Sequence, residues 1–74
     1  GSLDDAEKGY RNAVKAARQP TRARGNLGLF LASRRKDAPA KLGEAKTHLH
    51  AALLAHPEWH EVENAYEALR GLPA

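Results

Sequence analysis

Pro20, Pro39, Pro57 and Pro73 divide this chain into short stretches. A proline inside a helix removes a hydrogen bond and clashes with the turn before it, and the residue preceding it is pushed out of the α region. No single helix can therefore run through more than one stretch undisturbed. The residues between the prolines decide what the stretches become. Alanine is abundant, isoleucine is absent, and valine and threonine are scarce. That mixture favours helix and disfavours strand. The expectation is an all-α chain of four antiparallel helices, stacked as two helical hairpins.

The apolar spacing within each stretch agrees. Leu3, Ala6, Tyr10, Ala13, Val14 and Ala17 recur at three and four and predict one helix over about 3–18. Ser2 is its expected N-cap. Gly9 weakens its middle, and its expected use is close approach by a neighbouring helix. A second helix is predicted over about 21–36, with Thr21 as N-cap and Ala23, Leu27, Phe30 and Leu31 facing inward. Gly25 and Gly28 would suit tight packing there. A third is predicted over 39–55, opened by Pro39, with Leu42, Ala45, Leu49, Ala52 and Leu53 as its stripe. Pro57 opens the fourth, with Glu58 and Glu61 in its first turn and Val62, Ala65, Tyr66, Leu69 and Leu72 inward. At 74 residues the chain holds one small domain. Gly1-Ser2 reads as an expression-tag remnant, leaving 3–74 as a single helical domain.

The first and third stripes share a pattern. Ala6, Tyr10 and Ala13 have the spacing of Ala45, Leu49 and Ala52, offset by 39 residues. Repetition at such a period points to a helical solenoid. Asn26-Leu27-Gly28 followed by Leu31, and Ala45, Leu49 and Ala52 followed by Pro57, resemble the two helices of a tetratricopeptide repeat. The likeness spans about one and a half to two degenerate repeats. Arg24 departs from it where a large apolar residue is usual, the joint at 37–41 is long, and Glu67 stands where a small residue is usual.

That resemblance implies a protein-docking module whose groove is lined by the first helix of each repeat. It assigns partner contacts to Arg22, Leu29, Ser33 and Lys36 on the second helix and to Asn64 on the fourth. Arg22 and Lys36 would grip carboxylates. Gly25 and Leu29 occupy the places of the family's Lys and Asn carboxylate clamp, so that clamp is not expected. Trp59, the single tryptophan, is either a seam residue between the third and fourth helices or a partner anchor.

Charge is the other informative pattern. From Lys8 to Lys36 the chain carries nine basic residues and no acidic one. Besides Arg22 and Lys36 these are Lys8, Arg11, Lys15, Arg18, Arg24, Arg34 and Arg35. A one-signed surface steers anionic partners, and an acidic protein segment is the first expectation. Nucleic acid is the second, weakened because Tyr10 and Phe30, the only aromatics there, fall on core stripes and not between the cations. A structural or self-associating fragment of a larger protein is the third. Many of these cations also suit ordinary helix C-termini.

Catalytic and metal chemistry find little support. Cysteine is absent, which removes thiol catalysis, disulfides and cysteine zinc sites. His48 and His50 are two apart and face different ways on a helix. His56 and His60 are separated by Pro57, so they share no continuous face. Ser33 has no histidine near it, and no phosphate-cradling glycine loop is present. No enzyme, metal or cofactor is expected. No apolar run reaches the ~18 residues of a membrane span.

Overall fold

The computed structural model describes residues 2–72, and they form an all-α chain. Helix α1 spans Ser2–Ala16, α2 Pro20–Ser33, α3 Leu42–Ala55 and α4 His60–Leu69, with a 3₁₀ turn at Pro39–Lys41 leading into α3. Short turns make sequence neighbours into packing neighbours. The α2–α3 contact is the most extensive, α1 lies against α2, and α4 lies against α3 with a smaller contact to α2. The result is a slab about 30 × 29 × 16 Å. Among the described residues no helix is long and apolar enough to cross a membrane.

Prolines set the boundaries, though not always as expected. Pro20 takes the first helical position of α2, where its missing N–H costs nothing. Gln19 is the N-cap residue and makes no side-chain cap. Thr21 therefore lies inside the helix, and its hydroxyl sits 3.3 Å from His56 Nε2. Ser2 likewise lies within α1 and not ahead of it. Pro57 does not open α4. The chain turns through 57–59, Trp59 is the N-cap residue, and Glu61 and Glu63 are the first-turn acids. His56 caps α3, its N–H bonding to the Ala52 carbonyl. The predicted tails 17–18 and 34–36 belong to the turns after α1 and α2.

The core is a seam of small and branched residues between α2 and α3, closed by α4. Leu27, Leu31, Ala32, Leu42, Ala45, Leu49, Ala52, Val62 and Leu69 are its buried hydrophobic members. Two glycines let the helices approach. A Cβ at Gly28 would lie 3.0 Å from Leu49 Cγ and 3.1 Å from its backbone nitrogen. A Cβ at Gly25 would lie 2.5 Å from the Trp59 ring and 2.9 Å from the Ala52 Cβ. Gly9 has no such role: nothing lies within 4 Å of a Cβ placed there.

Helix α1 is attached differently. Among the described residues it contributes no buried hydrophobic side chain. Val14 packs part-buried on the core, and the one buried α1 residue is Glu7. The Glu7 carboxylate accepts from Lys41 Nζ at 2.8 Å and from Arg11 Nε at 3.0 Å, with Arg34 Nη1 at 3.5 Å. Arg11 also donates two bonds to Glu44, at 2.6 and 3.0 Å. Arg24 Nε donates to His48 Nδ1 at 3.1 Å, which makes His48 the Nε2–H tautomer, and that N–H donates to Glu44 at 3.1 Å. A charged chain thus ties α1 to the 3₁₀ turn, α2 and α3.

The network has a pH signature. The Arg11 guanidinium, bonded to both oxygens, holds the Glu44 carboxyl down to about 2. The Lys41 ammonium, followed by Arg11, holds the Glu7 carboxyl below its usual range against the opposing effect of burial. Both groups are more acidic folded than unfolded, so acid favours the undocked form. Their stabilisation is present above about pH 4.5 and is lost as pH falls toward 2. An acid titration is expected to lower helicity in that window before Trp59 fluorescence changes, because the tryptophan sits on the other seam. Coincident transitions would contradict this attachment of α1.

Candidate functional site

The α1 stripe that reads as core in the sequence is not core. Ala6, Ala13 and Ala17 line an open groove with Gly9 and Tyr10, and Tyr10 remains 38 % exposed. The same spacing on α3 is fully buried: Ala45, Leu49 and Ala52 have no exposed surface. The difference is what each stripe faces. The α3 stripe lies on α2, an antiparallel neighbour. The α1 stripe meets α2 along one edge only, through Tyr10 on Phe30, because the side of α1 toward α2 and α3 is taken by Glu7, Arg11 and Val14. Those three lie at i, i+4 and i+7, a second stripe displaced around the helix. Helix α1 therefore turns charge inward and apolar surface outward.

The groove has an internal volume of about 640 Å³. Its second wall is α2, through Arg22, Ala23 and Asn26, and Gln19 closes the end at the α1–α2 turn. Tyr10 stacks at a tilt on Phe30, ring centroids 5.0 Å apart, and joins the two walls. The floor is mostly alanine and glycine, so a backbone could approach closely. Electrostatics grade along the groove. Arg22 lines the turn end with Arg18 exposed beside it, neither in an ion pair among the described residues, while Asp5 stands exposed toward the α1 N-terminus and Asp4 lies 3.9 Å from Arg34.

The partner residues expected from the sequence are only partly gathered here. Arg22 is on the groove, its guanidinium carbon 4.9 Å from the centre of the Trp59 ring. Leu29 and Ser33 follow Arg22 along the open strip of α2, beyond the groove's lining. Leu29 is half-buried against the core, and the Ser33 hydroxyl donates to the Phe30 carbonyl at 2.6 Å. Lys36 is exposed in the turn after α2, and Asn64 is exposed on α4. Neither reaches the groove. Trp59 is the seam residue: part-buried, it packs over Gly25, with His56 edge-on at 6.2 Å.

The basic patch is thinned as a surface: Lys8, Lys15, Arg18, Arg22, Arg35 and Lys36 are exposed, while Arg11, Arg24 and Arg34 are half-buried. Arg11 and Arg34 face inward on carboxylates, and Arg24 is spent on His48. The pairs raise the Arg11 pKa above its already high ordinary value, the Glu44 bond contributing most. Arg35 donates to the Ala32 carbonyl. Lys8, Lys15 and Arg18 stay exposed. The histidines are separately engaged: His48 on Glu44, His50 stacked on Tyr66 at 5.3 Å, His56 beside Thr21, and His60 near Glu63 at 3.6 Å. Among the described residues no group of three potential metal ligands occurs.

Sequence reasoning missed the α1 wall of the groove, Ala6, Gly9, Tyr10, Ala13 and Ala17. The available signal was the second stripe: Glu7 and Arg11 share a face with Val14, and a helix with one apolar face should not place its only valine among charges. Compared with family models, curated proteins and solved structures, the chain matches none. The site is therefore read from its geometry.

Proposed function

We propose that this chain is a protein-docking module that seats a short amphipathic helix, flanked by acidic residues, between α1 and α2. The observation that supports it is the inverted set of α1: charged residues packed inward, apolar residues lining an open groove. An outward apolar stripe on a helix whose inner face is ionic has little value to the fold itself. A floor of Ala6, Gly9, Ala13 and Ala17 suits the close approach of a helix, and helix-in-groove recognition reads such anchors at three- and four-residue spacing. Arg18 and Arg22 at the turn end favour an occupant with carboxylates at that end. The helix order also suits the tetratricopeptide-like arrangement suggested by Asn26-Leu27-Gly28 and by Ala45, Leu49 and Ala52. Internal pairing of Arg11, Arg24 and Arg34 leaves fewer cations for a phosphate backbone than the sequence count suggests.

Amide chemical shifts test the reading. A synthetic alanine- and leucine-faced helix with N-terminal glutamates is expected to shift Gly9, Tyr10, Ala13, Arg22 and Ala23, and to spare Lys36 and Asn64. Ala13→Glu places a charge in the floor at an exposed position and is expected to weaken binding at least about tenfold, or about 1.4 kcal/mol. A short oligonucleotide should produce only small shifts at exposed cations, erased by salt. Equal shifts from both polymers across all cations, or an unaffected Ala13→Glu variant, would sink the proposal.

A further inference from the structure

The two halves of the chain are electrically opposite. Residues 2–36 carry nine cations against three carboxylates, and residues 37–72 carry three cations against six. Much of the second half's negative charge stands on or beside α4: Glu58, Glu61, Glu63 and Glu67 are all exposed. Helix α4 also has a partly open flank, beginning at Ala65, which packs on the core with one side. Ala65 is half-buried, Ala68 is exposed, and Leu72 is 41 % exposed just past the helix end. Glu61, Ala65 and Ala68 lie at i, i+4 and i+7, one strip of the α4 surface, and Leu72 stands in the bend that follows. Arg70 lies at the far end of α4 from Glu61.

We propose that the groove between α1 and α2 receives α4 of a second copy of this chain, so that copies associate head to tail. The inference rests on the groove's being a helix-docking site and names its occupant. Lengths fit: Glu61 to Leu69 rises about 12 Å along α4, and the helical wall from Ala6 to Ala16 is about 15 Å, long enough to hold it. Charges agree in only one direction. With the second copy's Glu58 and Glu61 over Arg18 and Arg22, its Arg70, at the helix end, falls toward Asp5. That direction makes the incoming α4 antiparallel to α1, which is how α3 meets α2. Small residues oppose small residues along the seam, Ala65 and Ala68 against Ala13, Gly9 and Ala6, so the axes can come close. The two surfaces lie on different parts of one chain, so the contact does not close on itself in a pair and continues to further copies. One helix seated on two others is small beside the ~1,200–2,000 Å² of lasting complexes. The association is expected to be weak, concentration-dependent and weakened by salt.

Sedimentation velocity from about 10 µM to about 1 mM protein, in low and high salt, tests it. The wild-type chain should gain apparent mass beyond a dimer with concentration and lose it in high salt. Arg22→Glu and Glu61→Lys should each sediment as monomers with unchanged helicity; glutamate at position 22 also suits the start of α2. Mixed one to one, the two variants should associate again, since the altered groove of one meets the altered α4 of the other and the untouched surfaces meet as before. Ala13→Glu should block the groove by bulk and stay monomeric in any mixture in which its groove is needed. A wild-type monomer throughout, a Glu61→Lys chain that associates like the wild type, or a mixture that stays monomeric would each overturn the proposal. Titration of the synthetic acidic helix separates this failure from that of the groove itself. A monomer that still binds the helix loses only the second copy, and a monomer that does not bind it loses both.

Discussion

Leu49→Ala is expected to remove about 3 kcal/mol of stability and lower Tm by about 15 °C or more. Leu49 has no exposed surface and stands at the centre of the α2–α3 seam. Its Cγ and backbone nitrogen sit against Gly28, so the wall it packs on is backbone and cannot collapse into the space it leaves. The cost of a truncation grows with the cavity that remains. A chain of this length holds only about 4–11 kcal/mol in total, so the loss is a large fraction of the whole. Leu54→Ala is the control. Leu54 is 72 % exposed, and its truncation should stay within about 0.5 kcal/mol. Thermal unfolding followed by circular dichroism reads both. Equal small shifts would mean that the seam is not the core.

Gly25→Val is expected to cost about 1–3 kcal/mol or more and to shift Trp59 emission to the red. The nearest atoms to the new Cβ are two Trp59 ring carbons at 2.5 and 2.8 Å and the Ala52 Cβ at 2.9 Å. The ring could tilt away, but the Ala52 methyl is fixed to the α3 backbone. Relief therefore requires α2 and α3 to part, and the ring that covers Gly25 then meets water. Gly9→Ala is the opposite case in the same chain. With nothing within 4 Å, the alanine restricts the unfolded chain and should add about 0.5–1 kcal/mol. Gly25 and Gly9 look alike in sequence, each an interruption of a helical pattern. A stabilising Gly25→Ala would overturn the close-approach account.

Helix existence and order were legible because prolines and alanine-rich spacing act locally. The stripes of α2 and α3 were legible too: Leu27, Leu31, Leu42, Ala45, Leu49 and Ala52 are all buried. Helix starts were less so. Thr21 and Ser2 are good cap residues by type, but a cap is decided by where the preceding chain leaves the helix axis, and Gln19 and Pro20 set that for α2. The α1 face was misread for a different reason. Periodicity shows that a helix has an apolar side and does not show which side meets the core. Here the ion pairs of Glu7 and Arg11, with partners 34 and 33 residues away, decide the orientation, and long-range pairing leaves no local trace. The basic cluster is smaller as a surface than as a sequence count for the same reason, since Glu44 and His48, the partners of Arg11 and Arg24, lie outside the stretch that carries the cations.

A helix that brings no buried hydrophobic side chain to the core has a stability ladder of its own. Native-state amide exchange should show α1 opening in a sub-global step, far below the global unfolding that exposes Leu49 and Ala52. Salt should lower that rung and leave the upper one nearly in place, since screening acts on the ionic contacts of α1 and little on the α2–α3 seam. One wall of the groove travels with α1. The apparent affinity of any occupant is then its intrinsic affinity multiplied by the fraction of chains with α1 seated. Ionic strength would set the supply of intact sites without any contact to the ligand, and a bound helix would in turn slow exchange along the whole of α1.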